Sequence, residues 1–224
     1  PASTNSTVGL LLSGGLDSSI LLGQLVAQGK RVRPFYIRSQ VIWQREELCA
    51  VEQFLSALAS PQVESLTLLD VPLADLYGNH WSLTGQATPD AASPDTAVYL
   101  LGRNALLLLK AALWCRLHGI GQLALAVLRS NPFADATPEF FAEFQSALAR
   151  ATGGPVEFLR PLAALDKRQV MELGRGLPLE KTFSCIRPVD GLHCGRCNKC
   201  AERIEAFRSI ALADPTRYSE GIRD

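Results

Sequence analysis

Residues 13–19 read Ser-Gly-Gly-Leu-Asp-Ser-Ser and combine two adjacent glycines with three hydroxyl side chains. They follow the apolar run 8–12 and precede a segment whose apolar residues recur with a helical period. A glycine-rich turn between a strand and a helix lets backbone N–H groups and the helix N-terminus approach an anion. We therefore predict a phosphate-binding turn formed by Ser13, Gly14, Gly15, Leu16, Asp17, Ser18 and Ser19.

The phosphate-binding turn differs from two common nucleotide motifs. It has no lysine, which separates it from the G-x-x-x-x-G-K-[ST] loop, and its glycines do not fit G-x-G-x-x-G. It is similar instead to the PP-loop of ATP pyrophosphatases. This resemblance implies that ATP binds there and that pyrophosphate leaves when an acceptor attacks the α-phosphorus. Asp17 supplies a carboxylate that could help to hold Mg²⁺. The alternative interpretation of residues 13–19 is an ordinary glycine-rich turn with no ligand.

Four of the six cysteines lie close together, with the spacing C-x₈-C-x₂-C-x₂-C. Four thiolates at such short separations can complete a tetrahedral shell around Zn²⁺ and leave no position for a catalytic water, so we predict a structural metal site. An iron–sulfur cluster is the alternative, because four cysteines can also bind one. His193 is predicted to be a loop residue near the metal and not a ligand. The predicted zinc ligands are Cys185, Cys194, Cys197 and Cys200, within a C-terminal segment of residues 183–212.

The cysteine usage, the charge balance and the distribution of apolar residues indicate the compartment of the protein and its class of partner. Clustered cysteines favour metal binding over disulfides and hence a reducing compartment, which predicts a cytoplasmic protein. Cys49 and Cys115 are predicted to be small buried hydrophobic residues. The 22 lysines and arginines balance the 22 aspartates and glutamates, so no bulk positive charge predicts nucleic-acid binding. Charged residues interrupt the apolar stretch 106–128 and the first residues lack a secretory pattern, so neither a membrane span nor secretion is expected.

Strand and helix patterns alternate along the chain. Apolar runs predict strands at residues 8–12, 32–37, 63–69, 123–128 and 156–159. Helical periods predict helices at residues 16–28, 46–58, 103–118 and 138–149, and one that Asp166 caps and that ends at Leu173. The alternation predicts an α/β fold, with a mostly parallel sheet between helices on both faces, in one domain over residues 1–224. Residues 70–96 show no sustained helical or strand period. This pattern is typical of an active-site loop or lid, and disorder is the alternative.

Further motifs follow the phosphate-binding turn in order: Gly102-Arg103-Asn104, Lys167 before Val170, Ser184-Cys185, and Cys194-Gly195-x-Cys197-x-x-Cys200-x-x-Arg203. Together with residues 13–19 they resemble the 7-cyano-7-deazaguanine synthase family of queuosine biosynthesis over nearly the whole chain. The terminal cysteine pattern separates this family from other ATP pyrophosphatases. The resemblance implies an adenine nucleotide alpha hydrolase-like PP-loop fold with a small zinc-binding C-terminal segment.

The resemblance also implies an ATP-dependent ligase. In that family the carboxylate of 7-carboxy-7-deazaguanine is adenylated, ammonia displaces AMP to give an amide, and a second activation dehydrates the amide to a nitrile. The implied cofactors are ATP, Mg²⁺ and Zn²⁺, and the family suggests a homodimer. Lys167 would neutralise charge on the transferring phosphate. The resemblance places Ser13, Asp17 and Lys167 as catalytic groups, Arg103 and Asn104 at the nucleotide, and Arg103 and Asp135 at the deazaguanine.

Two segments depart from the family pattern. Residues 133–140 read Phe-Ala-Asp-Ala-Thr-Pro-Glu-Phe where the family usually has Tyr-Pro-Asp-Cys-Arg-Pro-Glu-Phe, so Ala136 and Thr137 replace a thiol and a guanidinium. Residues 37–43 match the family's Tyr-Gly-Gln-Arg-His poorly and contain no histidine. We therefore expect weak nitrile formation, and a second hypothesis is conjugation of the activated deazaguanine to an amine of a partner protein. A tRNA sulfur transferase, which would need a basic RNA surface, and a non-catalytic nucleotide sensor are further alternatives.

Overall fold

Five parallel strands form one sheet in the order β3-β2-β1-β4-β5 in the computed structural model, which describes residues 7–219. Strands β2 and β3 lie on one side of the central strand β1, and β4 and β5 lie on its other side. The ends of the predicted domain, residues 1–6 and 220–224, lie outside the described residues. The strands are β1 (Val8–Leu11), β2 (Val32–Arg38), β3 (Thr67–Asp70), β4 (Gln122–Ala124) and β5 (Glu157–Leu159).

Eight α-helices accompany the sheet within residues 7–219. Residues on β2 alternate between two hydrophobic clusters, Tyr36 in one and Phe35 and Ile37 in the other, as the strand period of two requires. Helices α1, α2, α7 and α8 pack on one face and α5 and α6 on the other, which confirms the predicted layers. The helices are α1 (Leu16–Ala27), α2 (Gln44–Leu58), α3 (Ala74–Tyr77), α4 (Trp81–Thr84), α5 (Arg103–Leu117), α6 (Pro138–Thr152), α7 (Lys167–Leu173) and α8 (Asn198–Ser209).

The segment 70–96 is ordered by contacts with the cysteine-rich segment. It contains α3 and α4, and a 3₁₀ turn, Asp95–Val98, overlaps its end. The backbone N–H of Ala91 donates to the carbonyl oxygen of Arg196, and that of Asn198 donates to Pro89. The predicted lid is therefore an ordered segment, and residues 70–96 are called the strap below. The alternative interpretation, disorder, does not hold.

Three predictions from the sequence need correction. The predicted strand 123–128 ends early, because the ladders of β4 with β1 and β5 both stop at Ala124. The predicted strand 63–69 is shorter, because Val63 makes an isolated bridge with Val32 and the regular ladder begins at Thr67. Cys49 is exposed, with its sulfur near the amide of Gln53, because the buried face of α2 carries Ala50, Val51 and Phe54. Cys115 is fully buried on α5, as predicted. Within residues 7–219, no helix has both the length and the apolar character that crossing a membrane requires.

Candidate active site and metal centre

A pocket of about 330 Å³ opens at the carboxyl edge of the sheet. Leu11 at the end of β1 and residues 125–127 just after β4 form its floor. The order of the strands reverses between β1 and β4, and open α/β sheets bind ligands at such a reversal. The fold therefore places the phosphate-binding turn, which follows β1, at the position where a ligand is expected.

The phosphate-binding turn is preformed by its own hydrogen bonds. The hydroxyls of Ser13 and Ser18 lie 3.1 Å apart, and the Ser18 hydroxyl donates to the carbonyl oxygen of Gly15. Gly15 precedes α1, and no side chain caps the first N–H groups of that helix. These uncapped N–H groups are suited to an anion.

Not every residue of the turn faces the pocket. Ser13, Gly15, Leu16, Asp17 and Ser18 line it. Gly14 instead turns the backbone with a φ of 80° and packs against α2, and Ser19 is fully buried. The structure thus places Gly14 and Ser19 behind the residues that face the pocket.

Four charged side chains connect the phosphate-binding turn to α7 and α8. The ammonium of Lys167 donates to both carboxylate oxygens of Asp17, at 2.9 and 2.8 Å, and lies 2.8 Å from Oε1 of Glu202. Oε2 of Glu202 accepts from Lys199 at 2.5 Å. All four side chains line the pocket. This row of alternating charges, Asp17, Lys167, Glu202 and Lys199, is called the charge chain below.

The pKa values of Lys167 and Glu202, the two central members of the charge chain, are shifted so that both side chains favour their charged forms. Burial alone would lower the pKa of Lys167, but Asp17 and Glu202 outweigh it and raise the pKa well above its ordinary range. Burial would likewise raise the pKa of Glu202, and the two lysines outweigh it and lower the pKa to about 2. The ammonium of Lys167 therefore stays charged at physiological pH and can pair with an anion.

Local sequence features position the members of the charge chain. The side chain of Asp166 accepts from the backbone N–H of Gln169, whose side chain accepts in return from Asp166, so a capping box starts α7 at Lys167. Helix α8 begins immediately after Cys197, which places Lys199 and Glu202 in its first turns. Sequence reasoning identified Asp17 and Lys167 but missed Lys199 and Glu202. Their spacing of three residues on a helix was the available signal.

Four aromatic side chains form a second part of the pocket lining, called the aromatic half below. Trp43 and Trp81 stack with their ring centres 5.7 Å apart and an angle of 18° between the ring planes. Tyr99 and Phe133 form a second pair at 5.0 Å and 27°. All four side chains line the pocket, and Trp81 comes from the strap of residues 70–96. Two flat aromatic pairs beside a phosphate-binding turn suit a ligand with a planar ring.

A carboxyl group with an unusual pKa lies beside the aromatic half. The hydroxyl of Tyr36 donates to Oε2 of Glu47 at 3.0 Å. Burial raises the pKa of Glu47 to about 7, although the charge of Arg103 and hydrogen bonds from Tyr36 and Trp43 act to lower it. Near neutral pH this pocket-lining carboxyl exists in both protonation states.

Arg103, Asn104 and Asp135, which the resemblance assigns to the nucleotide and the deazaguanine, all line the pocket. Oδ2 of Asp135 accepts from the backbone N–H of Asn104 at 3.0 Å, and Oδ1 accepts from the Asn104 side chain at 3.1 Å. Asp135 is buried, and burial raises its pKa. Through these hydrogen bonds to Asn104, the carboxyl group caps the start of α5 from a distant part of the chain. The cap also fixes the position of Arg103, the first residue of that helix. Nε of Arg103 is buried and has no hydrogen-bond partner within residues 7–219.

The four clustered cysteines converge on one point. Their sulfurs lie within 4.8 Å of one another and are all buried. The Cys185–Cys197 and Cys194–Cys200 sulfur distances are 3.8 and 3.9 Å. A tetrahedral shell with metal–sulfur bonds of about 2.3 Å needs sulfurs about 3.8 Å apart, so the donor set fits a single Zn²⁺. An iron–sulfur cluster would need its thiolates farther apart, because it spreads them over several metal atoms.

His193 and Arg203 support the cysteine site without joining it. Nε2 of His193 accepts from the backbone N–H of Ser184 at 3.1 Å, so the imidazole holds the residue that precedes Cys185. Arg203 is buried and donates to the hydroxyls of Thr182 and Ser184 and to the carbonyl oxygen of Leu179. It thereby ties α8 to the segment that carries Cys185.

A family model and several curated relatives match most of the chain. The family model of the queuosine biosynthesis protein QueC matches residues 7–211. A 7-cyano-7-deazaguanine synthase of Xylella fastidiosa strain M23 is 32% identical, with 94% of each chain covered. One of Novosphingobium aromaticivorans is 32% identical, with 95% of this chain and 94% of the relative covered, and one of Methanospirillum hungatei is 31% identical, with 93% and 97% covered.

A solved structure supports the fold. The crystal structure of a 4-thiouridine synthetase–RNA complex with bound ATP matches with a TM-score of 0.51 at 17% identity. The match covers 94% of this chain and 52% of that longer chain. At this level of identity, the likeness concerns the fold alone.

Proposed function

The chain belongs to the QueC family of queuosine biosynthesis proteins, and from that premise we propose that it is an ATP-dependent C–N ligase acting on 7-carboxy-7-deazaguanine. The observation that carries the proposal is a single pocket that joins a phosphate-binding turn to an aromatic half. Residues 1–224 act in this proposal as one PP-loop domain, with residues 183–212 as its zinc-binding segment.

The proposed reaction begins with adenylation. A carboxylate oxygen of the deazaguanine attacks the α-phosphorus of ATP, and the bond to the bridging oxygen breaks so that pyrophosphate leaves. The nitrogen of ammonia then attacks the carboxyl carbon, AMP leaves, and a primary amide remains. A second ATP activates the amide oxygen, which departs with AMP as the nitrogen loses two protons and the nitrile forms. The protein contributes position and charge and needs no nucleophile of its own.

The phosphate end of the pocket supports the adenylation step. Residues 13–19 are proposed to bind the β- and γ-phosphates, with Ser13 donating a hydroxyl. Lys167 would stabilise the charge that develops on the transferring phosphate, and Asp17, released from Lys167, would bind Mg²⁺. The 2.8 Å contact between these two side chains places both charges at the turn that would hold the phosphates.

The aromatic half supports binding of the deazaguanine. A deazaguanine is planar, presents an N1–H and a 2-amino group along one edge, and carries an anionic carboxylate at position 7. The aromatic pairs would stack on its ring, the buried carboxyl of Glu47 would accept from the donor edge, and Arg103 would face the carboxylate. Asp135 remains a proposed substrate residue, and through Asn104 it would keep Arg103 in place.

A protein acceptor is the second candidate function. The chain has Ala136 and Thr137 where the family usually has a thiol and a guanidinium. Ala136 is buried, and the Thr137 hydroxyl accepts from the backbone N–H of Phe140 to start α6. Neither residue supplies a group for activating the amide, which favours a reaction that stops after one amide bond. In this variant, an amine of a partner protein replaces ammonia.

One incubation distinguishes these candidates. The purified protein, ATP, Mg²⁺ and 7-carboxy-7-deazaguanine are mixed with and without ammonium, and products are identified by mass spectrometry while pyrophosphate is quantified. Ammonium-dependent amide or nitrile would establish the ligase. An accumulating adenylate that modifies added protein would favour the protein acceptor. If pyrophosphate is not released under either condition, the proposal fails.

The homodimer and the cytoplasmic location are further parts of the proposal. Leu109, Leu113 and Leu117 follow one face of α5 at intervals of four residues and are 39%, 38% and 83% exposed. Such an apolar stripe suits a self-complementary contact with a second copy. Four thiolates that bind metal also favour a reducing compartment. Analytical ultracentrifugation of the wild type and Leu113→Glu tests the dimer, because the charge should convert dimers into monomers.

A further inference from the structure

The phosphate-binding turn lacks a positive charge of its own. Residues 13–19 contain no lysine or arginine. Cations that neutralise a polyphosphate must therefore come from other elements of the fold. Four cationic side chains line the pocket, namely Arg103, Lys167, Lys199 and Arg203.

Only some of these cations can serve the phosphates. Arg203 is 1% exposed and is committed to the hydroxyls of Thr182, Ser184 and Thr216 and to the carbonyl oxygen of Leu179. Arg103 lies near Glu47, beside the aromatic half. Lys167 and Lys199 are joined through Glu202, and Lys167 contacts the turn directly at Asp17.

Lys199 occupies an unfavourable place for a lysine. It is the second residue of α8, where the partial positive charge of the helix N-terminus opposes a cation. It also lies between the metal ligands Cys197 and Cys200. Neutralising the negative charge of a four-thiolate metal centre would explain a lysine here, but its ammonium turns to Glu202 at the pocket. The contacts to the Cys185 sulfur come instead from the backbone N–H groups of Arg187 and Cys194.

We propose that Lys199 is a second phosphate-binding cation for ATP, supplied by the metal-binding segment. It rests on the proposed function, because it requires ATP to bind at residues 13–18. Two carboxylates and two ammonium groups balance one another in the charge chain. When phosphate oxygens enter, they replace the carboxylate of Glu202 as the partner of Lys199. The cysteine site thus does more than stabilise the C-terminus, since it fixes a residue that contacts the nucleotide.

ATP binding without an acceptor tests this role. Lys199→Met keeps the length of the side chain and removes its charge, Lys199→Arg restores the charge, and Lys30→Met is the control at an exposed lysine beyond α1. Isothermal titration with Mg–ATP measures the dissociation constant, and metal content and melting temperature are measured on the same samples. Lys199→Met should weaken ATP binding at least about tenfold, the effect of losing one charge-assisted hydrogen bond, with the metal retained. Lys199→Arg should recover most of the affinity, and Lys30→Met should bind like the wild type.

Three results would contradict the proposal in different ways. If Lys199→Met binds ATP as tightly as the wild type, Lys199 does not contact the phosphates. If Lys199→Met loses metal and Lys199→Arg does not restore ATP affinity, the residue serves the cysteine site. If the wild type itself does not bind ATP, the proposed function fails and the inference fails with it.

Discussion

Gly14→Ala tests whether the phosphate-binding turn is held in place by backbone contact with α2. Gly14 has a φ of 80°, and an added Cβ would lie 2.7 Å from the backbone carbonyl oxygen of Glu47. The left-handed conformation costs an alanine about 1–2 kcal/mol. The clash adds about 1–3 kcal/mol, because a backbone oxygen can move only together with its helix. We therefore expect the free energy of unfolding to fall by about 2–5 kcal/mol.

Gly29→Ala is the matched control for Gly14→Ala. Gly29 has a φ of 75°, but an added Cβ there would meet no heavy atom of residues 7–219 within 4 Å. It should therefore show the conformational cost of about 1–2 kcal/mol without the clash. Urea denaturation followed by circular dichroism measures both variants, and isothermal titration measures their affinity for ATP.

The two variants should also differ in function. Gly14→Ala should bind ATP weakly, because the turn must shift to relieve the contact, whereas Gly29→Ala should bind it normally. Equal destabilisation of the two variants would show that the contact with Glu47 contributes nothing. Full ATP affinity in a destabilised Gly14→Ala would contradict the assignment of the turn as the phosphate site.

Three further predictions concern Asp17, the cysteine site and the carboxyl of Glu47. Asp17→Ala should keep its circular dichroism spectrum but lower the rate of pyrophosphate release by at least about a hundredfold, and unchanged turnover would remove the PP-loop assignment. Cys197→Ser should lose the metal and lower the melting temperature by about 10 °C, because metal binding stabilises the fold of residues 183–212, and a chelated wild type that melts normally would contradict this. Folding raises the pKa of Glu47 from 4.5 to about 7, so the folded state binds more protons between these values and wild-type stability should fall as the pH rises through that window. Glu47→Gln should flatten this decline in urea midpoints, and identical slopes in the two proteins would refute the burial of the carboxyl.

The sequence determined the features that depend on neighbouring residues. The phosphate-binding turn and the four cysteines are short segments that could be recognised from their spacing. The structure brings the four sulfurs within 4.8 Å of one another and places five of the seven turn residues on the pocket. The order of strands and helices also followed from local periods, because burial repeats every two residues in a strand and every three to four in a helix. The cap at Asp166 was predicted from the local sequence, and the structure shows that Gln169 completes it as a capping box.

Only the tertiary structure decided how distant segments meet in the pocket. The sequence does not distinguish Lys199 and Glu202 from the other residues of the metal-binding segment. Packing of α8 against α7 brings them to Lys167. The aromatic half joins Trp43, from the start of α2, to Trp81, from a strap whose sequence has no period. Cys49 was misjudged because the buried face of a helix depends on what packs against it. Contacts between segments far apart in the chain follow from packing of the whole fold, and no local spacing encodes them.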